Sequence, residues 1–211
     1  MGVNNLKMVE LVYKMRGKKG ACRGDRIYTM LRLNREFSDD LAHRMYIDPG
    51  DEDFGQCFFN ARRALFRLTR LGLEEEARYS EGFAVYFNYR TDLHWVAAHG
   101  WVTQEEQVVD PDYASLGRYE VDYFPGFNLS AEEVYQRLKT SSPPGAGTAF
   151  GLVPMEREMV GAYVAAWEHV LINWPEEMSP DDREHVNQWR QILQGLQGGE
   201  QRERIGERSQ G

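Results

Sequence analysis

The sequence predicts an α+β fold: a small antiparallel β-sheet packed on a helix that carries Cys57 at its N-terminus, with extra N- and C-terminal helices. Three observations point there. From Cys57 onward, Phe58, Ala61, Leu65 and Leu68 recur at helical spacing, with Arg62, Arg63, Arg67 and Arg70 elsewhere around the turn. Residues 78–88 alternate, with Phe83, Val85 and Phe87 on one face, and are rich in the aromatic residues that suit strands. Segments 93–102 and 107–110 read as two more strands, joined by the polar run Thr103-Gln104-Glu105-Glu106, a hairpin-loop length. With 211 residues, 42% of them hydrophobic, the chain is sized for one domain with its own core and not for two.

Taken in order, Leu6, Val9, Val12 and Tyr13 mark a first helix, stopped by Gly17-Lys18-Lys19-Gly20, and residues 27–37 read as a second. Asp48-Pro49-Gly50-Asp51-Glu52-Asp53 is an acidic turn leading into the helix over 57–71, which Gly72 ends. After the strands, Ser130 followed by Glu133 is a capping-box signature for a short helix through Leu138. Pro143-Pro144-Gly145 makes 141–147 a loop; 154–174 and 180–196 are C-terminal helices, and 198–211 is a polar flexible tail. The expectation is a single domain over 1–197 with its core at about 54–138 and helical additions at 1–50 and 154–197.

Composition narrows the function. A formal charge of −8 argues against a surface built to coat nucleic acid or anionic membrane. Two cysteines, Cys22 and Cys57, are too few for a disulfide scaffold, and no apolar run approaches the length of a signal or membrane-spanning segment, so a cytoplasmic protein is expected. Residues 1–35 hold nine basic and two acidic side chains, so the Lys14 to Arg35 region is a docking patch for an acidic partner, a segment attracted to the acidic remainder of the chain, or simply a solvated face. The histidines and cysteines lack the close pairs of zinc sites and no glycine-rich phosphate loop follows a strand, so no metal or organic cofactor is expected.

The chemistry starts at Cys57. At a loop-to-helix junction, free backbone N–H groups and the positive end of the helix dipole favour a thiolate, although a buried structural cysteine has the same apolar neighbours. A thiol nucleophile needs a histidine, and the chain has five: His43, His94, His99, His169 and His185. With the loop at 103–106, Val102 opposes Gln107 and His99 opposes Asp110. Opposed side chains share a face about 4.5–5.5 Å apart, close enough for the carboxylate to orient the imidazole. His94 is an odd number of residues from His99 and falls on the other face, unless a bulge intervenes. The plainer alternatives are a strand histidine beside Trp101 and a turn carboxylate in Asp110-Pro111-Asp112.

Gly55-Gln56-Cys57-Phe58-Phe59-Asn60-Ala61, Ser80-Glu81-Gly82-Phe83, His99-Gly100-Trp101-Val102 and Val108-Val109-Asp110-Pro111 resemble, in order and spacing, the Cys, "EGY", "HAW" and "DPT" blocks of transglutaminase-like cysteine enzymes. Tyr123-Phe124-Pro125-Gly126-Phe127 extends the likeness to the small bacterial and phage-borne members; it spans roughly 54–138. The resemblance implies a papain-like fold and a catalytic triad of Cys57 as nucleophile, His99 as general base and Asp110 as orienting carboxylate. It further implies a hydrolase or acyltransferase, cysteine protease-like in chemistry, acting on an amide or acyl group of a protein, peptide or small molecule through a thioester. Gln56, Asn60, Glu81 and Trp101 are supporting candidates, Glu81 chiefly as a paired carboxylate of the sheet. Asp112 stands where the blocks carry threonine, Phe83 where tyrosine is common, and His94-Trp95-Val96 competes with the histidine block. The alternative function is a non-catalytic protein on the same fold that binds an acidic partner through the basic N-terminal segment.

Overall fold

The computed structural model describes residues 30–47, 56–70, 77–104, 106–116, 120–140 and 157–208. The expected first helix, Cys22, most of the basic segment, the acidic turn at 48–53 and the loop at 141–147 lie outside the described residues. The elements run β1 (Arg32–Leu33), α1 (Arg35–Met45), α2 (Cys57–Arg70), β2 (Arg78–Asn88), β3 (Leu93–Gln104), β4 (Gln107–Val109), α3 (Tyr113–Leu116), β5 (Val121–Leu129), α4 (Ala131–Thr140), α5 (Arg157–Asn173), a 3-10 turn (Pro175–Glu177) and α6 (Pro180–Arg208).

The fold is α+β, and its sheet departs from the expected one. Five strands lie in the order β1-β4-β3-β2-β5, and β1 runs parallel to β4, so the sheet is mixed rather than antiparallel. Two strands had no clear signal in the sequence. β1 is too short to alternate, and β5 is interrupted by Pro125 and Gly126, residues that read as turn chemistry. The sheet curls until its edges meet: Leu31, just before β1, donates its N–H to the carbonyl of Tyr123 on β5 at 3.2 Å.

The helix expected at 27–37 begins instead at Arg35. Asn34 caps it, its side-chain oxygen accepting from the N–H of Phe37 at 3.1 Å, and the residues before the cap are drawn into the sheet. At the other end α6 continues to Arg208, past the expected stop at 196, so 198–208 is helical rather than an irregular tail. Its glycines cost about 1 kcal/mol each in a helix, which weakens the pattern without ending the helix.

Packing divides the core in two. Leu41 and Met45 of α1, Ala61, Ala64, Leu65 and Leu68 of α2, and Val134 of α4 cover Tyr79, Val102, Val109 and Leu129 of the sheet. The second cluster joins Phe83, Trp101 and Tyr123 to Tyr163 and Trp167 of α5. Because α5 lies between the sheet and α6, it is buried on nearly every side, which explains its apolar character all round. Among the described residues, no helix is long and apolar enough to cross a membrane.

Candidate active site

Helix α2 begins at Cys57 because Gln56 stands at its cap: the Gln56 carbonyl accepts the first helical bond, from the N–H of Asn60 at 2.8 Å. Cys57 therefore sits in the first turn, where N–H groups have no intrahelical partner, and its side chain is partly exposed. The next residue, Phe58, packs on Gly100 of β3 so closely that a Cβ there would lie 2.9 Å from the Phe58 Cα. Only a glycine lets the helix start come this near the strand, and this approach seats Cys57 beside His99.

His99 is 2% exposed and Asp110 fully buried. His99 Nε2 lies 2.7 Å from Asp110 Oδ2, which leaves Nδ1 as the ring nitrogen for its second partner, Cys57. Burial, the largest single influence, disfavours charge on the imidazole. The Asp110 carboxylate and Cys57 together outweigh it by Coulombic attraction and hydrogen bonding, and hold the His99 pKa well above the ordinary histidine value of 6.5.

The hairpin that unites His99 with Asp110 has a different register from the expected one. Val102 pairs with Val109 and Gln104 with Gln107, and Glu106 takes the positive φ of 63° that a two-residue hairpin turn demands. The shift is two residues. Asp110 is thus a diagonal neighbour of His99 rather than directly opposite, still on the same face because side chains alternate with period two.

Asp110 is held from three further directions. The Tyr123 hydroxyl donates to Oδ2 at 2.7 Å, the Asp112 N–H donates to Oδ1 at 2.9 Å, and the Asp110 N–H donates to the Ser38 hydroxyl at 3.0 Å. Tyr123 reaches the site through a bulge in β5: Phe127 pairs with Glu81 but Pro125 with Gly82, so Gly126 is the extra residue. Without it Phe124, not Tyr123, would stand opposite Ala84. Ser38 and Tyr123 carried no signal of this role in the sequence, beyond the Pro-Gly pair that marks the bulge.

The supporting candidates fall around this centre. Trp101 is fully buried, packs edge-on against Tyr123 with ring centroids 5.3 Å apart, and donates its indole N–H to Thr103 Oγ1 at 3.0 Å. Glu81 is buried and accepts from the Tyr79 hydroxyl at 2.7 Å. Burial first, then the Glu81 charge, push the Tyr79 hydroxyl well above 10, and Cys57 adds to the same effect, which places this pair within electrostatic reach of the thiol. Asn60, buried one turn after Cys57, donates to Asp112 Oδ1 at 2.9 Å.

His94 is occupied elsewhere. Its Nδ1 lies 2.9 Å from Glu177 Oε1, its backbone N–H donates to Glu177 Oε2 at 2.6 Å, and its ring stacks on Trp174 at 3.5 Å. His169 meets Asp122 at 3.0 Å, and His185 meets the Tyr163 hydroxyl. Among the described residues, no three His, Cys, Asp or Glu side chains converge as a metal-ligand set. No protein-family model, curated protein or solved structure matches the chain.

Proposed function

We propose that the chain is a transglutaminase-like cysteine enzyme, a hydrolase or acyltransferase in which Cys57 attacks an amide or acyl carbonyl. The observation that carries this reading is the buried His99, bonded to Asp110 at 2.7 Å on one side and facing Cys57 on the other. This is the arrangement that nucleophilic catalysis requires: a nucleophile, a base, and a third group orienting the base. The small sheet packed on the Cys57 helix serves to hold these three elements together.

In the proposed reaction His99 takes the thiol proton, leaving a thiolate–imidazolium pair that Asp110 stabilises. The thiolate attacks the carbonyl carbon, and N–H groups of the first α2 turn, including that of Cys57, stabilise the oxyanion. His99 then returns its proton to the departing amine or alcohol as the carbon–heteroatom bond breaks, and a thioester remains on Cys57. Water completes hydrolysis and an amine completes acyl transfer, with His99 taking the incoming proton in either case.

The test uses p-nitrophenyl acetate as an acyl donor and iodoacetamide as an alkylating probe, in a Cys22→Ala background so that Cys57 is the sole thiol. An acetyl adduct on Cys57, found by mass spectrometry, is expected. His99→Ala should slow both reactions at pH 6 by at least about tenfold, since His99 is the base that takes the thiol proton. His94→Ala should leave both unchanged. Equal rates in the parent and His99→Ala would overturn the proposal and turn attention to partner binding by the basic N-terminal segment.

A further inference from the structure

Asp112 departs from the threonine of the block it otherwise resembles, and it lies at the junction between the two halves of the site. Its N–H donates to Asp110 Oδ1 at 2.9 Å, and its own Oδ1 accepts from the Asn60 amide at 2.9 Å. Asn60 is three residues after Cys57 on α2 and is itself fixed: its Oδ1 accepts from Arg63 Nη1 at 3.1 Å, and Arg63 Nη2 donates to the Met45 carbonyl at 3.2 Å. The Cys57 helix is therefore joined to the hairpin twice, to β3 by Cys57 with His99 and, a turn further on, to the segment after β4 by Asn60 with Asp112.

We propose that Asp112 is a positioning residue for the Cys57, His99 and Asp110 set, tying the Asp110 segment to the Cys57 helix through Asn60 and placing a second negative charge beside His99. This rests on the catalytic reading above. The tether fixes the distance over which thiol and imidazole share a proton, and the charge favours the imidazolium over the neutral ring. A threonine could accept the Asn60 bond but could not supply the charge.

The surroundings make that charge adjustable. Burial, then the neighbouring Asp110 carboxylate, raise the Asp112 pKa from 3.8 to about 6, against the opposing influences of His99, the Asn60 hydrogen bond and Arg63. Tyr123 on β5 also faces it, a neutral hydroxyl across this range. Above about pH 6 Asp112 is ionised and reinforces the imidazolium; below it the charge is lost and the thiolate–imidazolium pair weakens. Reactivity of Cys57 should therefore step upward through about pH 6.

The experiment is the pH profile of Cys57 alkylation by iodoacetamide from pH 4 to 9, on the full chain with Cys22→Ala, with folding followed by circular dichroism. Asp112→Asn, which keeps an acceptor for Asn60 but carries no charge, should abolish the step near pH 6 and slow alkylation severalfold at pH 7. Asn60→Ala removes a bond that favours the carboxylate, so the step should move to higher pH. A purely structural role would lower stability and leave the step in place. A profile of Asp112→Asn that retains the parent's step, or a parent without one, overturns the proposal while the His99 dependence still supports catalysis. Loss of the His99 dependence overturns both. Should Asp112→Asn fail to fold, the direction of the step in Asn60→Ala decides.

Discussion

Gly100→Ala separates the placement of the thiol from the chemistry of the triad. The added Cβ would stand 2.9 Å from both the Cα and the Cδ1 of Phe58 and 3.4 Å from its backbone nitrogen. Carbon atoms in contact rest at about 3.5–4.0 Å, so the start of α2 must retreat by about 0.6–1.1 Å. The ring could turn aside but the Cα cannot. Overpacking of this kind costs about 1–3 kcal/mol, which should appear as a lower urea midpoint in a protein that still folds. Because Cys57 immediately precedes Phe58, the retreat carries the thiol away from His99, and a misplacement of about 1 Å costs about a hundredfold in rate. The assay is acetyl transfer from p-nitrophenyl acetate to Cys57, read beside the midpoint. Adding Phe58→Ala relieves the ring contact alone and should not restore the rate. Parent-like rates in Gly100→Ala would refute the reasoning, and recovery in the double variant would move the constraint from backbone to ring.

Two further outcomes follow from the site. Tyr123→Phe removes a hydrogen bond to the buried Asp110 carboxylate and should lower stability by about 1.5–3 kcal/mol in urea unfolding, with the His99 dependence of Cys57 alkylation retained; an unchanged midpoint would discount that bond. The folded-state pKa of His99 is raised above its unfolded value of 6.5, so its contribution to stability is complete below about pH 6.5 and is lost as pH rises through the folded-state value. Unfolding free energy should accordingly fall from pH 6 towards alkaline pH, and His99→Gln should flatten that fall; equal slopes in the two proteins would contradict it.

Local order was legible where the sequence carries its own hydrogen-bonding partners. The Ser130 and Glu133 capping box is realised in both directions, with the Ser130 N–H donating to Glu133 Oε2 at 2.7 Å and the Glu133 N–H to Ser130 Oγ at 3.2 Å. The bounds expected for β2 are those observed, although the strand is buried on both faces along most of its length. β1 and β5 were hidden for opposite reasons. The first is two residues whose strand partner lies far along the chain, and the second has turn residues at its centre because it is bulged.

The site divides along the same line. His99 and Asp110 are eleven residues apart, within one hairpin, and the error in its register was even, so the shared face survived it. An odd error would have turned Asp110 to the opposite face and left His94 the better-placed histidine. Apart from the local bond from the Asp112 N–H to Asp110 Oδ1, the remaining bonds on Asp110 and its neighbour span larger separations: 13 residues to Tyr123, 72 to Ser38, and 52 between Asn60 and Asp112. None belongs to a repeating local pattern, and each exists only because the sheet curls and α1 and α2 close over it. Those long-range bonds hold the segment that carries Asp110, so the pair visible in the sequence depends for its geometry on residues that no local pattern could select.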